Sequence, residues 1–314
     1  MSGLLEPRPA VEPIRPRSPR LQLRSGGIVG SRASTIVWTL LPATLVMFLF
    51  LFIPGLLGLQ LSFSDWPGVG PVNFIGAENY ADVFADSVFW NSVRITLFVA
   101  TASSAGIVAI ATLLAAAVSA RSPGYRFYRV VWFLPGVAPI AAAAVFWSTA
   151  FQPGQGVVNV IMGALGLGTD SAWLASEDTV LYPLIFVTVW ASVGFAFILI
   201  LGAMEQIPVS VYEAARIDGA STVRLFFSMT LPLATPVLII VSLLQFIWNF
   251  NGFTVIYAMT KGGPGFSSST LPVLVYLEAF LKLEFGRASA MAILSGLLLF
   301  VVGVLALRLS RTKQ

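Results

Sequence analysis

IPVSVYEAARIDGASTVRLFFSMTLP, residues 207–232, is the stretch whose reading decides the fold. Glu213, Arg216 and Asp218 put three charges into six residues of a chain that is 57% hydrophobic and only 10% charged. A soluble domain carries roughly a quarter of its residues as charges. A charged island between long uncharged runs therefore reads as a loop joining two membrane spans. Its local grammar is helical. Ser210 followed three residues later by Glu213 has the form of a capping box, VYEAARID makes about two turns, and Gly219 supplies a left-handed residue that stops them. Ser221 is placed to cap a second short helix, TVRLFFSMT. That helix is expected to finish before Pro232, since proline lacks the N–H donor and its ring crowds the preceding turn. Ala214, Ala215 and Ala220 keep this knuckle thin while Arg216 and Asp218 edge it with charge, which suggests a docking element. An ordinary capped loop helix, with Glu213 serving only its own backbone, fits the same residues.

Outward from the loop, the useful measure is the length of each interval free of Asp, Glu, Lys and Arg, because about 20 apolar residues cross a hydrocarbon core. Six spans are expected. The first lies between Arg32 and Asp65 and the second between Arg94 and Arg121. The third starts around Arg129 and runs to the breaker cluster QPGQG; the fourth lies between Asp178 and Glu205. The fifth begins near Pro232, and the sixth runs from Arg287 to Arg308. The first is too long for a signal-peptide core and reads as a retained span.

Basic residues set the orientation. Of 18 Lys and Arg, 14 fall on one side: six in the N-terminal tail, Arg121, Arg126 and Arg129, then Arg216, Arg224, Arg308, Arg311 and Lys313. Asp65, Glu78, Asp82, Asp86, Asp170, Glu177 and Asp178 occupy the other. Both termini are therefore expected in the cytoplasm. The Pro- and Arg-rich tail reads as a disordered arm near anionic lipid. The net charge of +4 follows from topology, so no nucleic-acid partner is expected. With no Cys and no His in the chain, thiol nucleophiles and the commonest metal ligand are missing. No catalytic role, resident cofactor or metal is expected.

No ionisable residue sits near the middle of a span, where proton- or voltage-driven carriers place theirs. The polar groups at depth are mild: Trp190 and Ser192 in the fourth span, then Gln245, Trp248, Asn249 and Asn251 in the fifth. Indole faces and amides suit a neutral polyhydroxylated solute. Amides also bond across helices as packing glue, the reading favoured for Gln245. In the first outer loop, Tyr80, Val83, Phe84, Val88 and Phe89 recur at helical spacing. They suggest an amphipathic helix on the membrane surface, either a cap over the span ends or a landing surface for an external partner. The Gly-rich TKGGPGFSSST, 260–270, lacks the order of a phosphate-cradling loop, so nucleotide-driven energy must come from another polypeptide.

EAA, three residues, Gly, nine residues, a hydrophobic residue, any residue and Leu-Pro resembles the signature of the membrane subunits of bacterial ABC importers. Glu213, Ala214, Ala215, Gly219, Leu231 and Pro232 carry it, with Met229 where the family usually has isoleucine. EAARIDGAS, NFIGAENYADVF, YRVVWFLPGVAP and WNFNGFTVIYAMTKGGPG are similar to the carbohydrate-uptake branch, and the GGPG loop to its maltose-permease-like first subunit. The resemblance implies an all-α type I permease fold in the bacterial cytoplasmic membrane. With the tail read from composition, the expected division is a disordered basic cytoplasmic tail over 1–34, a six-span domain over 35–310 with the EAA loop at about 205–232, and a short cytoplasmic tail over 311–314. In such importers the EAA helix, here Glu213 to Ala220 with Arg216 and Asp218 on its edge and Pro232 closing the motif, seats in a cleft of a cytoplasmic ATPase dimer that binds ATP and magnesium. A second EAA-bearing permease and an extracytoplasmic solute-binding protein complete the assembly. Solute contacts would fall to Trp248, Asn249 and Asn251, and the cargo would be a sugar or oligosaccharide. A glycerol-phosphate ester is the alternative within the family, and an ion-coupled carrier the alternative outside it.

Overall fold

The computed structural model describes residues 33–119, 124–167 and 171–311. Most of the basic tail, Arg121, Asp170 and the last three residues lie outside the described residues. The chain divides into two compact units, Met1–Pro54 and Gly55–Gln314. The first contains α1 (Ala33–Met47) and a π turn at Phe48–Phe52, which leads into α2 (Ile53–Leu61). Every described side chain from Val37 to Phe52 is exposed, and nearly all are apolar, as hydrocarbon requires of a spanning helix.

In the second unit a short hairpin follows. β1 (Ser64–Asp65) pairs antiparallel with β2 (Asn73–Phe74), Ser64 opposite Phe74. Next come α3 (Glu78–Ala85) and α4 (Ser87–Ser119), separated by Asp86, whose Oδ1 accepts from the Val88 amide at 2.8 Å. The stretch read as one amphipathic surface helix is thus parts of two helices. Val83 and Phe89 are buried in a cluster with Phe250, Leu274 and Met291. Val83 and Phe89 thus find a protein core, while Phe84 of the same stretch stays exposed.

α5 (Tyr125–Phe133) and α6 (Ile140–Ala150) are bent by 90° at the intervening LPGVAP. The third apolar stretch is therefore two helices meeting at a sharp bend, where composition alone had shown one apolar run. Pro135 and Pro139 remove two amide donors. Gly194 lies so close to the bend that a Cβ there would sit 3.0 Å from the carbonyls of Trp132 and Phe133. Within α7 (Val157–Ala164), the fully buried Asn159 ties the QPGQG loop together. Its Nδ2 donates to Gln152 O at 2.9 Å and Ser171 O at 3.1 Å, and its Oδ1 accepts from Trp173 Nε1 at 3.1 Å.

α8 (Leu181–Glu205) and the EAA helix α9 (Val209–Ile217) lead to α10 (Thr222–Leu225). The helix does not finish before Pro232. It passes through a π turn, Phe226–Thr230, into α11 (Leu231–Phe250), one 29-residue helix from Thr222 to Phe250. The wider turn makes proline tolerable: Leu231 N–H bonds to Phe226 O, and Pro232 follows where its missing donor is not needed. α4, α8 and α11 form the central core. Ile107, Ala111 and Ala115 pack against Phe197, Ile200, Leu201, Ala234 and Val241, the alanines allowing close backbone approach.

α12 (Thr254–Thr260), α13 (Leu271–Tyr276) with a π turn at Leu277–Leu281, and α14 (Phe285–Arg311) complete the chain. Among the described residues five helices are long and apolar enough to cross a membrane, six spans if the bent pair counts as one. Glu278 is buried yet lies outside those spans. It accepts from Lys282 Nζ at 2.7 Å and faces Arg287, which in turn pairs with Asp86 at 2.5 Å. The cluster fastens the start of α14 to the elbow between α3 and α4.

Candidate functional site

Two features collect the sequence-predicted residues, and one helix carries both. The first is the knuckle. α9 ends as expected: Gly219 takes φ +79°, its N–H bonds Arg216 O at 3.0 Å, and Ala220 N–H bonds Ala215 O at 3.0 Å. This pair of bonds is a Schellman stop. Ser221 caps α10, its Oγ accepting from Arg224 N at 3.3 Å. The capping box at the other end does not form. Pro208 is the N-cap residue with no side-chain cap bond, and Ser210 lies already inside the first turn. Glu213 is thereby released from its own backbone, and it is exposed together with Ala214, Arg216, Asp218 and Gly219.

Ala215 is buried under the knuckle, and Tyr212 Oη lies 3.2 Å from Thr230 Oγ1, fastening α9 to the π turn. At the tip stands a residue the sequence reading passed over: Ile217, 87% exposed, with Val223 also exposed beside it. The presented surface is therefore apolar at its apex and charged at its edges. Just before α9, Glu205 pairs with Arg129 of α5, joining the broken third span to the root of the loop.

The second feature is a cavity of about 270 Å³, lined by Thr188, Ser192, Trp248, Asn249, Asn251 and Phe253 among others. None of the described residues lining it is charged. Trp248, half exposed, leans on Phe195 at 5.3 Å. Asn249 is almost buried, and its Nδ2 donates to Ser104 Oγ at 2.9 Å. Asn251 is exposed and donates to Ile247 O at 2.9 Å. The structure does not bring Trp190 or Gln245 to this wall. Trp190 packs edge-on against Trp147 at 5.6 Å, and Gln245 is buried one turn before Asn249.

Ser104 was not legible as a partner. A serine in the middle of an apolar span was the available signal, shared by Ser92 and Ser103 on the same helix. Its removal gives a test. Ser104→Ala leaves a nearly buried amide donor unpaired and is expected to cost about 1–2 kcal/mol, read as a lower melting temperature of the purified protein. Unchanged melting would show that the Asn249–Ser104 bond contributes nothing to the bundle.

α11 with its N-terminal extension, Thr222–Phe250, spans about 40 Å at 1.5 Å per residue. The knuckle abuts its first turn, and Trp248 and Asn249 sit in its last.

Comparison with known proteins agrees with this architecture. Residues 107–313 match the family model described as binding-protein-dependent transport system inner membrane component. The multiple sugar-binding transport system permease protein MsmF of Streptococcus mutans is 30% identical over 87% of this chain and 94% of its own length. The sn-glycerol-3-phosphate transport system permease protein UgpA of Salmonella typhi is 31% identical over 76% of this chain and 81% of its own. A subunit in the crystal structure of a bacterial ABC transporter that imports the acidic polysaccharide alginate superposes with a TM-score of 0.78, covering 88% of this chain and 95% of that one at 23% identity. At that identity the likeness speaks to the fold alone.

Proposed function

Because the chain belongs to the family of binding-protein-dependent transport system inner membrane components, multi-pass permease subunits of ABC importers in the bacterial cytoplasmic membrane, we propose that its cargo is a neutral sugar or oligosaccharide and that Glu213–Ala220 couples it to a separate ATPase. The observation that carries the cargo assignment is the cavity: an indole face, two amides and three hydroxyls, with no charge among its described lining. Aromatic faces cover the apolar side of a pyranose, while amides and hydroxyls exchange hydrogen bonds with its hydroxyl groups. A glycerol-phosphate ester, the cargo in UgpA's name, carries a dianion that calls for Arg or Lys at the site. The cavity offers neither.

On this reading both termini lie in the cytoplasm, and ATP and magnesium are held by an ATPase dimer beneath the knuckle. An extracytoplasmic binding protein releases solute to this chain and a second EAA-bearing permease. Closure of the ATPase dimer displaces the exposed knuckle, and the helix that starts there moves Trp248 and Asn249 at its far end. A charge-free wall then releases its solute without having to break an ion pair.

The test is uptake into proteoliposomes holding the reconstituted complex and its binding protein. Di-, tri- and pentasaccharides of the malto, cello, xylo and chito series are compared with sn-glycerol-3-phosphate. ATP-dependent accumulation of a saccharide is the expected result. Accumulation of glycerol phosphate alone would overturn the cargo assignment.

A further inference from the structure

Six aromatic rings form an unbroken line from the hairpin turn to the cavity. Trp66, just past β1, has its ring centroid 5.4 Å from that of Phe285, and Phe285 lies 5.8 Å from Phe280. Phe280 is 5.1 Å from Tyr276, which lies 4.8 Å from Tyr257 and 5.1 Å from Phe253. Tyr257 and Phe253 stack at 4.9 Å with 15° between their planes. Phe253 is itself a wall of the cavity. The rings come from four separate segments: the hairpin turn, α12 with its leading residue, the α13 segment and α14. Folding, not sequence adjacency, draws the line.

None of the six is buried, and Phe280 is 59% exposed. Phe253 and Tyr257 pack in part against the cluster of Val255, Ile256 and Val273, but none of the six reaches the full burial that contributes about 1.5–3 kcal/mol. Phe250 and Phe197 are used that way in the same bundle. The exposed side chains further along α14 are Leu297, Phe300, Val301 and Leu305, whereas the line has two phenol hydroxyls at its centre. Its outer end is rigidly seated. Gly68 lies against the Phe285 ring, where a Cβ would come within 2.6 Å, and Phe285 N–H bonds Trp66 O at 3.2 Å.

We infer that Trp66, Phe285, Phe280, Tyr276, Tyr257 and Phe253 form a stacking path along which a linear oligosaccharide passes from the extracytoplasmic mouth into the cavity. The inference rests on the saccharide cargo proposed above. Each pyranose unit has an apolar face that lies on an aromatic ring, and stacking of this kind does not depend on which hydroxyls the unit carries. Rings placed in close succession let a chain move from one to the next without leaving apolar contact. The tyrosine hydroxyls give the equatorial hydroxyls of a passing unit a partner halfway along.

The saccharide panel in proteoliposomes tests this with Phe280→Leu and the double variant Tyr276→Leu/Phe280→Leu, which keep apolar volume but remove the ring face. The half-saturating concentration is expected to rise about fivefold for tri- and pentasaccharides and much less for disaccharides, with the maximal rate retained, the signature of lost binding rather than lost turnover. Phe280→Tyr should restore wild-type behaviour. Equal behaviour of wild type and leucine variants at every chain length overturns the path but leaves the saccharide cargo standing. Loss of the second permease from the purified complex also overturns it, placing the rings at a subunit interface. If wild type takes up no saccharide, the cargo reading and the path fall together.

Discussion

Ile217→Asp is expected to abolish ATP-driven uptake while leaving the permease folded in the membrane. At 87% exposed, Ile217 contributes almost nothing to the fold of its own chain. An isoleucine is held out in this way at a cost in solvation, and seating it in an apolar cleft of a partner returns about 1.5–3 kcal/mol. An aspartate in its place forfeits that gain and leaves an unpaired carboxylate in the cleft, so a loss of about 3 kcal/mol or more is expected. This corresponds to a fall of about a hundredfold in affinity for the ATPase. The measurement is the amount of ATPase retained on the purified permease, alongside uptake. Ile217→Leu, which keeps volume and polarity, should retain both. Wild-type retention of the ATPase by Ile217→Asp would remove the tip of the knuckle from the coupling surface. Glu213→Ala combined with Gly219→Pro attacks the same element through its shape, since Gly219 sits at φ +79°, closed to proline.

The second large effect lies at the opposite end of the molecule. A Cβ on Gly286 would sit 1.9 Å from Ser64 O and 3.0 Å from Asn79 Nδ2, so Gly286→Ala forces α14 and the hairpin apart. Asn79, buried, donates to Ser62 O at 3.1 Å and Ser64 O at 2.9 Å, and Arg287 next in sequence holds Asp86. The added methyl would press on both partners of the Asn79–Ser64 bond, and the Arg287–Asp86 pair is strained as α14 is pushed away. Overpacking costs about 1–3 kcal/mol and an orphaned buried amide about 1–3 more, so folded yield should collapse. Gly296, in the same helix, has nothing within 4 Å of its Cβ position. There Gly→Ala should be neutral or stabilising by up to about 1 kcal/mol. Melting temperatures of the two variants are expected to move in opposite directions, and equal shifts would refute the close approach of α14 to the hairpin.

Local rules read well where the deciding contacts are local. Gly219 as a helix stop and Ser221 as a cap depend only on neighbours within five residues, and both form as expected. Ser210 and Glu213 failed as a capping box because Pro208 takes the helix start two residues earlier. Pro232 was taken for a barrier because the rule for proline assumes an α-helix, and a π turn just before it changes which donors are required. In the same way LPGVAP was counted as part of one apolar run. Its composition is apolar enough, while the bend depends on Gly194 of α8, some 60 residues away, admitting two carbonyls.

Alone, the sequence determined the membrane class and where along the chain the apolar segments and the charged loop between them fall. Those follow from the cost of putting charge in hydrocarbon, which each segment meets by itself. Which polar residues share a wall was decided only in three dimensions. Ser104 and Asn249 stand 145 residues apart, Trp190 turns away to Trp147, and rings from four segments align toward Phe253. Such meetings depend on helix rotation and close packing between segments, quantities that an apolar span of nearly uniform hydropathy does not encode in any one stretch.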